Sequence, residues 1–367
     1  MRGPVALVLA LILVGCSPPT QTVASDPVYG AGEAIQTYTR PGAGLRDALH
    51  RDNQRVTIWY PAADDVIETP RIIGPVDQPF FLSGQAADGA AFAARDKRPL
   101  IVMSHGFGGS ARQMAWLGTA LARSGYIVAA VDHPGNNGND DRTPLGALLY
   151  WERADDLRHA INGILADPNW GPRIDPARIG AIGYSMGGAS VLIELGARPD
   201  LSALTRYCAR SLRDLLCAPT ITDGDYGTVN RRQVLQESEA VRRSVATQAN
   251  DRDDPRIDAA VLIAPALGAL LANDSLRRVT EPVLILQGSA DDTTPADENA
   301  DRFAERLPTA RTVRLEGVDH NAFLGLCGSA ARERYATLCT EDGNRTDTHL
   351  DAIAAVTAFF DETLAAP

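Results

Sequence analysis

Aromatic residues are scarce in this sequence: they make up only 6% of its 367 residues, although 45% of the chain is hydrophobic. The core must therefore be aliphatic, and a chain of this length can form one large core or two modest ones. Positive charge is also in deficit, because 35 Lys and Arg face 46 Asp and Glu, for a formal net charge of −11. This balance argues against nucleic acid as a partner.

The sequence has no apolar run long enough near its N-terminus to span a bilayer. The run from Val5 to Val14 is about half of the roughly 20 residues that a transmembrane helix needs. It follows a positive charge, which predicts a secretory signal peptide over residues 1–15. The segment Leu13-Val14-Gly15-Cys16 resembles a bacterial lipobox, in which the cysteine becomes the lipidated first residue. The alternative is an ordinary signal peptide with an incidental cysteine. Because Ser17 is not the aspartate of inner-membrane lipoproteins, the resemblance implies export and anchoring in the outer membrane through Cys16.

Cysteine is rare, and its spacing limits the possible sites. Removing Cys16 leaves four cysteines, an even number that indicates disulfides in an exported chain, with three possible connectivities. Close spacing favours the pairs Cys208–Cys217 and Cys327–Cys339. Metal binding is the weaker interpretation, since there is no C-x-x-C and no adjacent histidine. The polar residues 136–140 do not match an EF-hand loop either, so we expect no metal there.

Beyond residues 16–28, a Pro/Ser/Thr-rich stretch that predicts a flexible tether, the pattern is that of one domain over residues 29–367. Residues 61–97 show little periodicity and are predicted to be irregular surface. Short apolar runs typical of buried strands then alternate with helical patterns, which predicts an α/β fold with a doubly wound, mostly parallel sheet. These runs are 99–103, 126–131, 178–182, 259–263, 282–286 and 312–315. A last helix is predicted from near Thr348 to Leu364.

Residues 201–257 do not fit this alternation. They are predicted to form a cap over the active site, with a helix around Arg231–Thr247. The segment is rich in charge and holds only two aromatic residues, Tyr207 and Tyr226. A lid that opens on lipid needs a broad apolar face, so we do not expect interfacial activation.

The segment Gly183-Tyr184-Ser185-Met186-Gly187 lies between a predicted strand and a predicted helix, the context in which G-x-S-x-G forms a nucleophile elbow. The sharp turn leaves no room for side chains at Gly183 and Gly187. Ser185 is the predicted nucleophile, and the Met186 N–H is one predicted donor to the oxyanion. A bland glycine-rich turn is the alternative.

A serine nucleophile needs a base, and six histidines are present. His320 directly follows the last predicted strand, where it can reach Ser185. His349 opens a helix after a polar stretch, where we expect it to be exposed. His320 is therefore the predicted base. Candidates for the carboxylate that orients it are Asp291, Asp292 and Asp319, each of which has turn capping as its alternative role.

Five segments together with the elbow resemble the α/β-hydrolase superfamily. They are Trp59-Tyr60-Pro61, Ser104-His105-Gly106-Phe107-Gly108-Gly109, Asp132-His133-Pro134-Gly135, and the acid and histidine segments in the order nucleophile, acid, histidine. The sequence is most similar to serine-type dienelactone-hydrolase-like and platelet-activating-factor acetylhydrolase-like esterases, over roughly residues 30–200 and 258–365. Ser185 stands where true dienelactone hydrolases carry a cysteine. The resemblance implies an α/β-hydrolase fold, Asp291 as the catalytic carboxylate, Phe107 N–H as the second oxyanion donor and a loop-shaping role for His105.

These residues predict a serine carboxylic-ester hydrolase that acts on soluble short-acyl esters through an acyl-enzyme and needs no cofactor. A peptidase or an acyl-transferase with the same triad is the nearest chemical alternative. A catalytically silent α/β-hydrolase-fold protein of the cell envelope is the alternative from another class.

We predict that the mature protein is lipidated at Cys16 and carries two disulfides. The intact mass of the exported form, before and after reduction and alkylation, measures both features. An unlipidated Cys16 would contradict the anchor, and four free thiols in the unreduced protein would contradict the disulfides.

Overall fold

The structure is a computed structural model, which describes residues 28–39, 53–208, 220–340 and 342–366. Its strands are β1 (Gly30–Thr39), β2 (Asn53–Ala62), β3 (Thr69–Ile73), β4 (Phe81–Asp88), β5 (Arg98–Ser104), β6 (Ile127–Val131), β7 (Ile174–Tyr184), β8 (Thr220–Asp223), β9 (Gly227–Asn230), β10 (Ile257–Ile263), β11 (Val283–Gly288), β12 (Ala310–Leu315) and β13 (Leu326–Cys327). Its α-helices are α1 (Ala115–Arg123), α2 (Pro144–Leu148), α3 (Glu152–Ala166), α4 (Met186–Glu194), α5 (Leu201–Cys208), α6 (Arg231–Val234), α7 (Glu239–Ala246), α8 (Asn273–Leu276), α9 (Ala300–Ala304), α10 (Ser329–Arg334) and α11 (Asp342–Thr363).

Eleven of these strands form one sheet, in the order β12-β11-β10-β7-β5-β6-β2-β1-β4-β13, with β3 paired to β4. The six strands from β12 to β6 are parallel to their neighbours. β2 and β1 continue the sheet in antiparallel pairing. The prediction of a mostly parallel, doubly wound sheet is therefore confirmed.

The apolar strands bury side chains on both faces of the sheet, because successive side chains of a strand point to opposite faces. In β5, Leu100 and Val102 belong to a core that includes apolar side chains of α3 and α4. Ile101 and Met103 belong to a second core with α1 and α11. Two mainly aliphatic cores, which also contain most of the aromatic side chains, thus hold the sheet from opposite sides.

The prediction of irregular surface over residues 61–97 is wrong, because this stretch contains β3 and β4. Their side chains do not alternate between apolar and polar, since polar contacts hold this edge of the sheet. The buried Glu33 carboxylate accepts hydrogen bonds from Trp59 Nε1 at 2.8 Å and from Arg71 Nη1 at 3.1 Å. Arg71 also donates to the Ala86 carbonyl in β4 at 2.9 Å.

The C-terminal helix α11 begins at Asp342, about two turns before the predicted start near Thr348. Its polar first turns concealed the start. Arg345 is buried there, where its Nη1 donates to the Gly325 carbonyl at 2.7 Å. Tertiary hydrogen bonds thus stabilise a helical turn that lacks an apolar face.

The insertion contains α5, the β8–β9 hairpin and the short helices α6 and α7, so the single helix predicted around Arg231–Thr247 is also wrong. Helices α6 and α7 each begin at their own N-cap residue. Asn230 Oδ1 accepts from Gln233 N at 3.1 Å to start α6, and Ser238 Oγ accepts from Val241 N at 3.2 Å to start α7. An N-cap residue has a non-helical backbone, so Ser238 interrupts the predicted helix.

Helices α6 and α7 of the insertion pack on the body of the domain. Val234 and Val241 are buried within the core that contains α3 and α4. The indole Nε1 of Trp151, the residue before α3, donates to Ser244 Oγ in α7 at 2.8 Å. This part of the insertion is therefore fixed by apolar burial and by a buried hydrogen bond.

Cys327 and Cys339 form a disulfide with a Cα–Cα distance of 6.0 Å. Cys217 of the predicted Cys208–Cys217 pair lies outside the described part of the chain. Cys16, the predicted signal peptide and nearly all of the predicted tether also lie outside it. No described helix combines the length and the apolar character that crossing a membrane requires.

We predict that Val241→Ala lowers the free energy of unfolding by about 2 kcal/mol, since it removes two buried methyl groups and leaves a cavity. Denaturant unfolding measures this change. Arg242→Ala, at an exposed position of the same helix, is the matched control and should change stability by less than about 0.5 kcal/mol. Equal stability of the two variants would show that α7 does not pack on the core.

Candidate active site

Ser185 lies between β7 and α4 with φ 53° and ψ −120°. This left-handed backbone is uncommon for a residue with a side chain and costs on the order of 1–3 kcal/mol. Three backbone hydrogen bonds hold the turn. Ser185 N donates to the Ile263 carbonyl at 2.9 Å, and the Ser185 carbonyl accepts from Gly188 N at 2.9 Å and from Ala266 N at 3.0 Å.

The two glycines of the motif are required because the backbone passes very close to them. A Cβ on Gly183 would lie 2.2 Å from the Gly187 carbonyl oxygen. One on Gly187 would lie 2.1 Å from the Ser104 carbonyl oxygen at the end of β5. Both positions therefore exclude every side chain, as the sequence predicts.

His320 lies beside the Ser185 hydroxyl. Its Nε2 is 3.1 Å from Ser185 Oγ. The residue begins a short 3₁₀ turn after β12, which Asp319 caps by accepting from Ala322 N at 2.8 Å. Asp319 thus has the turn-capping role that was its alternative in the sequence.

Asp291 contacts the other nitrogen of the same imidazole. Its Oδ2 lies 2.9 Å from His320 Nδ1, and the carboxylate also accepts from Thr294 N at 2.7 Å and Thr294 Oγ1 at 2.8 Å. Burial acts to raise the pKa of the Asp291 carboxyl, but the hydrogen bonds from His320 and Thr294 outweigh it and hold that pKa below its usual value. Asp292, the third candidate, is exposed. The structure therefore brings Ser185, His320 and Asp291 into one line of hydrogen bonds.

The two predicted oxyanion donors belong to segments that meet at Ser185. Met186 is the first residue of α4, so its N–H has no acceptor within the helix. The loop after β5 approaches from the other side: a Cβ on Gly106 would lie 3.2 Å from Ser185 Cβ. Phe107 follows Gly106, and its side chain is 48% exposed.

The expectation that His349 is exposed is wrong. His349 is buried, and its ring stacks on Trp116 with centroids 4.0 Å apart. Its Nε2 is 2.9 Å from the carbonyl oxygen of Leu324, just after the His320 turn. The polar residues around His349 gave no sign of this burial, because the Trp116 ring that covers it comes from α1.

Two residues that support His320 were not singled out from the sequence. Tyr184 lies inside the elbow motif, and its hydroxyl donates to the His320 carbonyl at 3.0 Å. Thr294 stands three residues after Asp291, and in turns an Asp side chain commonly accepts from a backbone N–H a few residues later. Both signals are in the sequence, but such short polar patterns also occur in ordinary turns.

The polar loop after β6 binds protein groups. Asn136 Oδ1 accepts from Gly108 N at 3.1 Å, and Asn139 Nδ2 donates to Asp132 Oδ2 at 2.8 Å. Within the described ranges, no group of three or more His, Cys, Asp or Glu residues is placed to hold a metal ion.

Residues 101–337 match the model of the alpha/beta hydrolase family. A cutinase of Thermobifida alba is 33% identical over 135 residues, which are 35% of this chain and 42% of that protein. A bis(hydroxyethyl) terephthalate hydrolase of Streptomyces coelicolor is 28% identical over 204 residues, 54% of each chain. The chain thus spans about half the length of these relatives.

The fold has a counterpart among solved structures. A ferulic acid esterase from Streptomyces cinnamoneus superposes with a TM-score of 0.55 over 93% of this chain and 91% of that one, at 21% identity. At this identity the likeness concerns the fold alone. None of these three proteins is described as a dienelactone hydrolase or a platelet-activating-factor acetylhydrolase, so that finer resemblance stays a prediction. The family match covers more than half of the sequence, and the chain therefore belongs to the alpha/beta hydrolase family.

Proposed function

We propose that this protein is a serine carboxylic-ester hydrolase in which Ser185, His320 and Asp291 are the catalytic triad. The continuous contact from Ser185 Oγ to His320 Nε2 at 3.1 Å and from His320 Nδ1 to Asp291 Oδ2 at 2.9 Å carries this proposal. A cutinase and a terephthalate-ester hydrolase among the relatives support ester hydrolysis as the reaction.

Asp291 determines which imidazole nitrogen acts as the base. The low pKa of Asp291 keeps its carboxylate ionised, and an ionised carboxylate can only accept hydrogen bonds. The proton of a neutral His320 therefore resides on Nδ1, which leaves Nε2 as an acceptor for the Ser185 hydroxyl. This tautomer is the one that a general base requires.

The reaction proceeds in two half-reactions. Ser185 Oγ attacks the ester carbonyl carbon while its proton passes to His320 Nε2, and the carbonyl oxygen takes the electron pair. The Met186 and Phe107 N–H groups then stabilise the oxyanion. Collapse of this intermediate breaks the bond to the alcohol, which leaves with the proton of His320. Water attacks the resulting acyl-enzyme by the same route in reverse, so no cofactor takes part.

We propose soluble short-acyl esters as substrates, because the insertion resembles a fixed cap more than a lipase lid. Arg142 is 2.9 Å from both carboxylate oxygens of Asp223 in β8, through Nε and Nη2. A bidentate pair of this kind ties the hairpin to the loop after β6. α7 is packed on the core through Val241. A cap fixed at both places is held against the body of the domain, whereas a lipase lid must move to present an apolar face to a lipid surface.

The exposed Phe107 ring favours one further class of substrate for the same reaction. Its half-exposed ring follows the residue that contacts Ser185, so an aromatic acyl group could stack on it. Bis(hydroxyethyl) terephthalate, named in one relative, is a soluble ester of this kind and belongs in the substrate screen.

We further propose that the mature enzyme is exported and held at the outer membrane by lipidated Cys16.

We predict that Ser185→Ala and His320→Ala each lower turnover of p-nitrophenyl butyrate by a factor on the order of 10⁶, because triad members act as a unit. Labelling by a fluorophosphonate should be lost in Ser185→Ala. Two matched controls should stay active. They are Ser124→Ala, at the exposed residue directly after α1, and His159→Ala, in α3. In the wild type, kcat/KM should fall as the pH is lowered, since protonated His320 cannot accept from Ser185.

Retained turnover in Ser185→Ala would reject the elbow assignment. Fluorophosphonate labelling of the wild type without hydrolysis of any ester would instead favour a peptidase or an acyl-transferase, and absence of both would favour a catalytically silent protein.

We predict that rates on a p-nitrophenyl series fall from acetate or butyrate to palmitate. Activity measured across the solubility limit of one substrate should saturate smoothly, because the cap does not open at an interface. A sharp rise at that limit, or preference for palmitate over butyrate, would show that the insertion is a lipase lid.

A further inference from the structure

A buried arginine lies behind the two segments that carry the proposed oxyanion donors. Arg153 is in the first turn of α3 and is 2% exposed. Its Nη2 donates to the His105 carbonyl, its Nη1 to Asn136 Oδ1 at 3.0 Å and its Nε to Ser190 Oγ at 3.2 Å. One guanidinium therefore binds three different segments of the chain.

Two of these contacts hold the loop after β5 on either side of Phe107. The His105 carbonyl, two residues before Phe107, accepts from Arg153 directly. Asn136 Oδ1, which also accepts from Arg153, binds the N–H of Gly108, the residue after Phe107, at 3.1 Å. The backbone of Phe107 is thus fixed from both sides, through one carbonyl and one N–H.

The third contact of Arg153, with Ser190, connects it to the segment that carries the Met186 N–H. Ser190 is one turn after Met186 in α4, and its Oγ lies 3.3 Å from the Met186 carbonyl, to which it donates. The Ser190 hydroxyl has one proton, so it can accept from Arg153 while it donates to Met186. Arg153 is connected by this hydroxyl to the first residue of the nucleophile helix.

The charge of Arg153 is unusual for a buried side chain. Its acceptors are all neutral oxygens: the His105 carbonyl, Asn136 Oδ1, Ser190 Oγ and, at 3.4 Å, Ser104 Oγ. The carboxylate of Asp156 acts on it only through its charge, which favours the protonated guanidinium. Burial lowers its pKa to about 9, which leaves it charged at neutral pH. Burying a cation whose acceptors are all neutral oxygens costs stability.

We propose that Arg153 is a positioning residue that fixes the Phe107 and Met186 N–H groups relative to each other in the oxyanion hole. Oxyanion stabilisation depends on donors that are already in place when charge develops on the carbonyl oxygen. Only the planar fork of arginine can bind all three acceptors at once, since lysine presents a single flexible ammonium. This inference rests on the proposed ester-hydrolase function.

Arg153→Lys tests the proposal, because it retains the charge and loses the fork. We expect kcat/KM for p-nitrophenyl butyrate to fall about 10- to 100-fold, less than the roughly 10²–10³-fold cost of losing a donor itself. An alkyl trifluoromethyl ketone, to which Ser185 adds to form a tetrahedral oxyanion, should bind more weakly by a similar factor. The pH at which kcat/KM is half-maximal on the acid side should not move, because the contacts of His320 are unchanged.

Arg71→Lys is the matched control. Arg71 is also a buried arginine, but it contacts Glu33, Asp88 and Ala86 at the far edge of the sheet. It should lose stability and keep its kcat/KM and its affinity for the ketone. If replacing a buried arginine only impaired folding, both variants would have a smaller fraction of active enzyme. Titration with a fluorophosphonate measures this fraction.

Asn136→Ala is the second variant, and it decides the matter if Arg153→Lys does not fold. It removes the acceptor that links Arg153 to the Gly108 N–H, and should weaken ester turnover and ketone binding together. Unchanged ketone affinity and kcat/KM in a folded variant would overturn the proposal while leaving the ester-hydrolase function in place. A wild type that neither hydrolyses esters nor reacts with a fluorophosphonate would refute the proposed function itself.

Discussion

The left-handed backbone of Ser185 is the constraint on which the rest of the site depends. Three non-glycine residues of the described chain have positive φ: Ser185 at 53°, Ala264 at 43° and Leu267 at 64°. Ser185 is in the elbow, and the other two are in the loop after β10. Each costs on the order of 1–3 kcal/mol. The loop after β10 and the elbow hold each other through two hydrogen bonds, from Ser185 N to Ile263 and from Ala266 N to Ser185. The strain is therefore shared by two adjacent turns, and the buried β7–β10 pairing supports both.

The parallel sheet brings the proposed site together at the carboxyl ends of its strands, where ligands bind in open α/β sheets. Ser185 follows β7, Asp291 follows β11 and His320 follows β12. Each of these three side chains is then held by a local turn: the elbow, the Thr294 contacts and the Asp319 cap. The sheet determines which residues meet, and the turns determine the distances between them.

The central sheet, the elbow and the position of His320 were predictable from the sequence because they leave local patterns, and the family resemblance implied Asp291 as the third member of the proposed triad. Buried parallel strands are short apolar runs, and the elbow requires glycines at fixed positions. The edge strands β3 and β4 were missed since contacts such as Arg71–Glu33, between residues far apart in sequence, stabilise them. The burial of His349 was missed for the same reason, as its partner Trp116 is distant in the chain. Arg153 gave no signal, because one arginine in the first turn of an amphipathic helix is ordinarily a solvated charge.

Several groups that oppose folding meet at one end of the sheet, and the stability that compensates them comes from elsewhere. Three such groups are buried at the carboxyl ends of the strands: the strained backbone of Ser185, the ionised carboxylate of Asp291 and the cation of Arg153. The two apolar cores on the faces of the sheet contain none of these groups. Because the cores stabilise the fold independently, the site can keep charges and a backbone conformation that oppose folding. Such groups remain in place only where surrounding contacts fix them, and Arg153 supplies several of those contacts by joining the β5 loop, the β6 loop and α4.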